Sequence, residues 1–372
     1  MKRGVQAVFE EAGIAVGGDR PWDIQVHDPR LWRRVALRGN IGFGEAYMDG
    51  WWDCAAIDQL VERLLRVVTM GERQPWPVRV AGNLLAALCN LQSLARAFQV
   101  GQRHYDIGND LYRAMLGPDL VYSCAWWQWG ADTLEQAQRD KLDLVCRKLQ
   151  LAPGMRVLDI GCGWGSFCRH AARQHGVACV GLTVSREQEQ FAREELKGLP
   201  VEIRLEDYRA VSGTFDRIVS IGMFEHVGPR NYATFMDTAR RCLKPDGLFL
   251  LHTIGGNETN RSALSWYTKH IFPNGHIPSI AQIGRAAEGR FVVEDLHNFG
   301  PEYDRTLMAW HANFEQAWPA LQGARPAYTG RFRRMWRFYL LSCAGAFRAR
   351  DQQLWQWVLS PNGVPGGWDR AG

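Results

Sequence analysis

The chain lacks any apolar run near the roughly 20 residues that a helical membrane span requires, although 46% of its 372 residues are hydrophobic. It also lacks a C-x-x-C pair. Its nine cysteines are scattered, so neither a zinc site nor a disulfide framework is indicated, and no metal is expected. Reduced, mostly buried thiols follow. Internal repeats and low-complexity tracts are absent too, which leaves an ordinary globular chain. The N-terminal MKRGVQAVFEEAG begins basic but has no apolar centre of a signal peptide, so the cytoplasm is the expected compartment. Charge of one sign is in short supply: the formal net charge is only +5. That excess suits an anionic partner, a phospholipid surface or a nucleic acid, without deciding between them.

Against these absences stands VLDIGCGWGSF, from Val157 to Phe167. Residues suited to a buried strand lead to Asp159. Gly161, Gly163 and Gly165 then alternate, and a helical pattern follows. Glycine lets the backbone turn sharply and approach a ligand, and the free N–H groups of the next helix face the same point. A nucleotide-like cofactor fits such a loop. The dinucleotide fingerprint G-x-G-x-x-G places its third glycine one residue later and needs an acidic residue about 20 positions on. Here the next strand, Ala178–Leu182, leads only to Thr183 and Ser185. NAD is disfavoured, and the G-x-G-x-G form resembles S-adenosylmethionine-dependent methyltransferases.

The chain is long enough for two domains. Up to about residue 75 short elements alternate: IQVHD reads as a strand and GNIGFGEAYMDGWW as ordered loop plus helix. ERQPWP is a break, and residues 76–103 read as a helical linker ending at Gly101. From His104 the pattern is that of a doubly wound α/β domain. Its strands are expected over Arg156–Ile160, Ala178–Leu182, Val201–Leu205, Arg217–Ile221, Gly247–Ile254 and Phe291–Leu296. A helix is expected over Tyr232–Leu243, closed by a turn at LKPDG. Arg331–Arg350 reads as an amphipathic helix whose start is crowded by Arg331, Arg333, Arg334 and Arg337. It either packs on the domain with solvated arginines or lies on an anionic membrane. The 16 tryptophans suit core packing, and also lipid–water interfaces.

Ligands of an open α/β sheet sit at the carboxyl ends of its strands. Glu225 and His226 follow the fourth strand and His252 lies near the end of the fifth. Tyr303 falls in HNFGPEYD, read as a loop. Each alone is an ordinary hydrogen-bonding group; their convergence on one edge points to a site.

HYDIGNDLYRAML, YSCAWW, VLDIGCGWGSF, GLTVS, DRIVSIGMFEHVGP, LLHTIG, IFPNG, HNFGPEYDRTLMAW and CAGAFRARDQQLW occur in order. Together they resemble cyclopropane-fatty-acyl-phospholipid synthases, and the part from His104 onward is similar to mycolic acid cyclopropane synthases. The resemblance implies a class I methyltransferase-like, Rossmann-like doubly wound α/β sheet (residues 104–372), with a smaller N-terminal α+β lipid-contact domain (residues 1–75). S-adenosylmethionine and a bicarbonate ion are the implied cofactors. Tyr122, Ser123 and Asp159 through Gly165 would meet the cofactor. Thr183, Ser185 and Gln188 would line its ribose side, Asp207 and Tyr208 its adenine, and Ile221 would lie close. Side chains of Glu225, His252 and Tyr303, with backbone groups of Cys124 and Ile254, would hold bicarbonate. Cys343 matches a cysteine marked in the family as a nucleophile, but its place on the apolar face of its helix favours packing. The implied partner is a phospholipid bilayer, met peripherally at the inner face of the membrane by a homodimer.

Methyl transfer to an isolated cis alkene leaves a carbocation, and a proton must leave the new methyl group before the ring closes. A pinned base suits that step, and apolar walls that exclude water protect the cation. Aromatic faces stabilise such a cation by about 0.5–2 kcal/mol each. Three other readings remain: a relative that stops at a methyl branch, a non-catalytic lipid-binding scaffold, and a nucleic-acid methyltransferase. The last lacks both an Asn-Pro-Pro-Tyr-type signature and a dense basic stripe.

Overall fold

The computed structural model describes residues 2–71, 108–259 and 265–370. The expected linker helix at 76–103 and the start of HYDIGND lie outside the described residues. The chain divides into two compact units. One gathers the described residues of 1–89, 261–273 and 303–352; the other gathers those of 90–260, 274–302 and 353–372. A division by contiguous sequence therefore differs from this one, because segments 261–273 and 303–352 join the N-terminal part.

The second unit holds a sheet of seven described strands. They are β3 (Arg156–Ile160), β4 (Ala178–Thr183), β5 (Val201–Leu205), β6 (Phe215–Ile221), β7 (Leu243–Gly256), β8 (Val292–Asn298) and β9 (Gln352–Ser360). Their order is β5-β4-β3-β6-β7-β9-β8. β5, β4, β3, β6 and β7 run parallel, and β8 pairs antiparallel with β9. Both faces are buried, which explains the apolar runs. Val157, Val219, Leu248 and Leu250 pack into one cluster, while Leu158, Ile218, Phe249 and Leu251 pack into another. The chain moves outward from β3 to β5, then returns to β6 on the other side of β3. That reversal opens a crevice at the carboxyl ends of β3 and β6.

Two expectations are corrected here. LKPDG is not a free turn: Leu243 already pairs with Phe215, and the ladder resumes at Arg217 and Leu248 after a register shift. Tyr303 is not in a loop. Asn298 Oδ1 accepts from the Gly300 N–H at 3.1 Å, and a helix runs over Gly300–Leu321.

In the first unit, β1 (Gln25–Val26) pairs antiparallel with β2 (Trp52–Asp53). The helix Leu31–Met48 bends at Gly39, whose φ is +51°. The helix Ile57–Gly71 crosses Gly330–Arg348 closely, since a Cβ on Gly345 would stand 2.4 Å from the Asp58 carbonyl oxygen. Trp336 and Leu340 are fully buried. The arginines at the start of this last helix are paired, although Arg331 and Arg333 also stay exposed to solvent. Arg331 pairs with Asp49 at 2.9 Å, Arg333 with Glu315, and Arg337 donates to the Ala55 carbonyl at 3.1 Å. Arg334 donates to the Trp52 carbonyl at 2.8 Å and Asp53 at 2.7 Å, and lies 4.0 Å over the Tyr47 ring. The helix is a core element with an internally paired basic end. Among the described residues, no helix is long and apolar enough to cross a membrane.

Candidate active site

The glycine loop closes β3 as its spacing requires. Gly161, Gly163 and Gly165 have φ of +91°, +56° and +81°. A Cβ on Gly161 would stand 2.7 Å from both Cβ and Cγ of Met223, and one on Gly165 2.7 Å from Leu196 Cδ1. Gly165 begins the helix Ser166–His175, whose first N–H groups face the loop. Asp159, at 2% exposure, sits beneath it. Burial pushes its carboxyl up to about 7, against a bond from Cys168 and the attraction of Lys141.

The segment after β4 is a cap. Thr183 Oγ1 donates to Gln188 Oε1 at 2.9 Å, and Ser185 Oγ accepts from the Gln188 N–H at 3.3 Å. The three residues are thus buried and tied together at the carboxyl end of β4. Asp207, after β5, is gripped by Arg209 through Nε and Nη2, both at 2.7 Å. Tyr208 packs edge-on to Phe235 with its hydroxyl buried and without a hydrogen-bond partner among the described residues. Burial raises that hydroxyl to about 12. Ile221 ends β6.

Glu225 lies in a short 3₁₀ turn after β6. Its Oε1 accepts from the Ile254 N–H on β7 at 2.6 Å. Its Oε2 is buried with no hydrogen-bond partner among the described residues. Burial, opposed by the backbone bond from Ile254, pushes the carboxyl up to about 7. His252 lies two residues before Ile254 and is 1% exposed. Gln356 on β9 contacts its Nδ1 at 3.2 Å. With Nδ1 accepting, the neutral ring carries its proton on Nε2, and Nε2 is also buried without a partner among the described residues. Burial, then Lys141 and Lys148, hold the ring well below the usual histidine range, so it is neutral. The edge therefore presents an acceptor on Glu225 and a donor on His252, both unused.

Tyr122 and Cys124 flank Ser123 in the same unit. Tyr122 packs edge-on to Tyr112 at 5.4 Å, and Cys124 is fully buried. Tyr303 belongs to the other unit, where it stacks near Phe347 and Trp310. Cys343 belongs there as well; burial pushes its thiol up to about 12, so it is not a thiolate. His226 is held neutral by burial, at about 4. Sequence reasoning missed Gln356 and Met223, and it missed Gln138 and Lys141 behind Ser123. A lysine in EQAQRDKLDLV reads as solvent-facing, and only the fold turns it inward. Outside this set, Cys146, His170 and His175 bring ligand atoms within 4.8 Å of one another, but Asp143 already holds His170 Nε2 at 2.8 Å.

Comparison with known proteins decides the family. The family described as Mycolic acid cyclopropane synthetase matches residues 92–357. The chain belongs to this family. It is 51% identical over 366 residues to the "Cyclopropane-fatty-acyl-phospholipid synthase" of Escherichia coli K12, covering 97% of this chain and 93% of that one. It is 32% identical to the "Tuberculostearic acid methyltransferase UfaA1" of Mycobacterium tuberculosis, over 95% of this chain and 87% of the other. A solved structure of "mycolic acid cyclopropane synthase CmaA1 complexed with SAH and CTAB" superposes with a TM-score of 0.64 at 34% identity, covering 70% of this chain and 97% of that one. Membership in the family and the strand order make this an enzyme of the class I S-adenosylmethionine-dependent methyltransferase fold.

Proposed function

We propose that this enzyme converts cis-unsaturated acyl chains of membrane phospholipids into cyclopropanes. One observation carries the reading: Glu225 Oε2 and His252 Nε2 are both buried and, among the described residues, unpartnered on the sheet edge that also bears the glycine loop. S-adenosylmethionine, when bound, supplies an activated methyl group for the alkene. Gly161 to Gly165 would admit its amino-acid part, because any side chain at Gly161 meets Met223. Tyr122, Ser123, Asp207, Tyr208 and Ile221 would line the rest, with the Thr183–Gln188 cap holding that wall in place. Bicarbonate would supply the base for the proton that leaves the new methyl. Glu225 would accept from it, His252 would donate to it, and Tyr303 with the backbone of Cys124 and Ile254 would complete its cage. The Ile254 N–H fixes the rotamer of Glu225, and Gln356 fixes the tautomer of His252.

The N-terminal unit is read as the lipid-contact part, and the bilayer as a peripheral partner. The net charge supports an electrostatic share, with about 1 kcal/mol for each basic residue near an anionic surface, screened beyond a Debye length. The relative named for tuberculostearic acid favours one second reading, a methyl-branched product. Incubation of purified protein with S-adenosylmethionine, bicarbonate and cis-unsaturated phospholipid vesicles tests both. Cyclopropanation adds one CH₂ and removes the alkene; no cofactor-dependent mass gain overturns the proposal.

A further inference from the structure

Lys141 lies on the helix Leu134–Lys148, is 1% exposed, and forms no ion pair among the described residues. Its Nζ donates to Ser123 Oγ at 2.9 Å. That neutral hydroxyl is the only hydrogen-bond partner of its three N–H groups among the described residues. Burying an ammonium on so little is costly, and a methionine or leucine would fill the space without that cost. One turn earlier on the same helix, Gln138 is 2% exposed. Its Nε2 donates to the Ser123 carbonyl at 2.8 Å and to the Val121 carbonyl at 3.3 Å. Two buried polar side chains of one helix therefore grip three oxygens of the segment 121–123, immediately before Cys124. Thr133 caps this helix by accepting from the Gln136 N–H, which fixes the register that places both side chains inward.

We propose that Lys141 and Gln138 are positioning residues for the segment Tyr122–Cys124, Lys141 acting through the Ser123 hydroxyl and Gln138 through the carbonyls on either side of Tyr122. Lys141 consumes one Ser123 lone pair as a donor, so the hydroxyl proton is free to point outward at a ligand. Gln138 fixes the peptide that leads into Cys124, so the backbone there is presented in one orientation. The inference rests on the cofactor role proposed for Ser123. The charged and titratable groups facing the ammonium are Asp159, Cys124 and Cys146, with His252 feeling it from β7. Burial lowers the ammonium to about 8, opposed by Cys124 and Asp159. Its charge is present below that pH and lost above it, where the neutral amine is left as a weaker donor to Ser123.

Binding of S-adenosylhomocysteine by calorimetry from pH 6.5 to 9, on the full chain, tests this. Wild type is expected to lose affinity as pH rises through about 8. Lys141→Met should bind about 10–100-fold more weakly at pH 7 and lose that pH dependence. Lys141→Arg should recover affinity and hold it to pH 9. Ser123→Ala should match Lys141→Met, and the double variant should be no weaker than either single, because both act through one contact. Lys141→Met with wild-type affinity and pH profile overturns the proposal. Should that variant fail to fold, Ser123→Ala with unchanged affinity and pH profile overturns it equally. A wild-type protein that binds no S-adenosylhomocysteine instead defeats the cofactor reading, a distinguishable result.

Discussion

Glu225 Oε1 accepts the Ile254 N–H at 2.6 Å while its second oxygen is buried with no hydrogen-bond partner among the described residues. Half of the carboxyl is thereby anchored to β7, and half is reserved. The same burial that reserves it raises its affinity for a proton to about 7, from an ordinary 4.5. Asp159 shifts the same way, from 3.8 to about 7.

A pH dependence of stability follows for the ligand-free protein. Between about pH 4 and 7 the native state holds protons at these two groups that the unfolded chain has released. Stability therefore falls as pH rises through that window and is flat above it, as far as these groups are concerned. Glu225→Gln removes its share, about 3 kcal/mol at most. The variant should melt above wild type at pH 8, with the gap closing toward pH 4.5. A gap that is constant across pH would contradict the shift.

Gly161→Ala and Gly163→Ala should separate two roles of glycine. A methyl at 161 meets Met223 at 2.7 Å, whereas the nearest atom to one at 163 is 4.0 Å away. Both positions carry positive φ, so both variants pay strain of about 1–3 kcal/mol. Gly161→Ala should lose more stability and more S-adenosylhomocysteine affinity. Thermal melts with calorimetry check this, and equal losses would count against a tight wall at Met223.

Cys343→Ser should retain most activity. The Cys343 thiol is raised to about 12, and Tyr267, which bonds it, also donates to Ser342 at 2.9 Å. A protonated thiol of this kind is a packing group, not a nucleophile. Complete loss of turnover in a variant that melts like wild type would show otherwise.

Arg334→Ala should cost stability, about 1–3 kcal/mol, because it unties Tyr47, Trp52 and Asp53 from the helix Gly330–Arg348. The salt dependence of binding to anionic vesicles should persist in it. If the vesicle binding collapses while the melt is unchanged, the arginine faces lipid after all.

Much of this was legible in the chain because the parallel sheet is buried on both faces. Ala178–Thr183 and the Leu248–Leu251 part of β7 stand out as apolar runs, and the glycines mark the turn between β3 and its helix. Glu225 and His252 are expected near strand ends, and the structure places Glu225 just after β6 and His252 within β7. Other features carry no local signal. β9, QQLWQWVLS, is recognisable only beside its partners, although it supplies Gln356 to His252. The helix Gly300–Leu321 contains Pro319 and begins on a glycine, so its pattern reads as loop. The Leu31–Met48 helix is disguised by its bend at Gly39. Lys141 and Gln138 look like an exposed polar face. The pairing of Arg331, Arg333 and Arg334 depends on acids up to about 280 residues away in sequence, such as Asp49 and Asp53.

Glu225→Gln should slow turnover by about 10²–10³ while leaving S-adenosylhomocysteine affinity near wild type, because the amide keeps the shape of the carboxylate and the glycine loop is untouched. His252→Ala should behave alike, with an added packing loss. Product analysis at saturating cofactor together with calorimetry checks both; full activity in Glu225→Gln would remove that residue from the site.

The central claim, that the edge holding Glu225 and His252 closes a ring, is tested most directly with S-adenosylmethionine bearing a CD₃ group. Purified protein would be incubated with this cofactor, bicarbonate and cis-unsaturated phospholipid vesicles, and the lipid examined by mass spectrometry and NMR. The account predicts cyclopropane resonances with two deuterons on the new ring carbon and the third released to solvent. An acyl chain that keeps an intact CD₃ branch, or an alkene that survives unmodified, would contradict it.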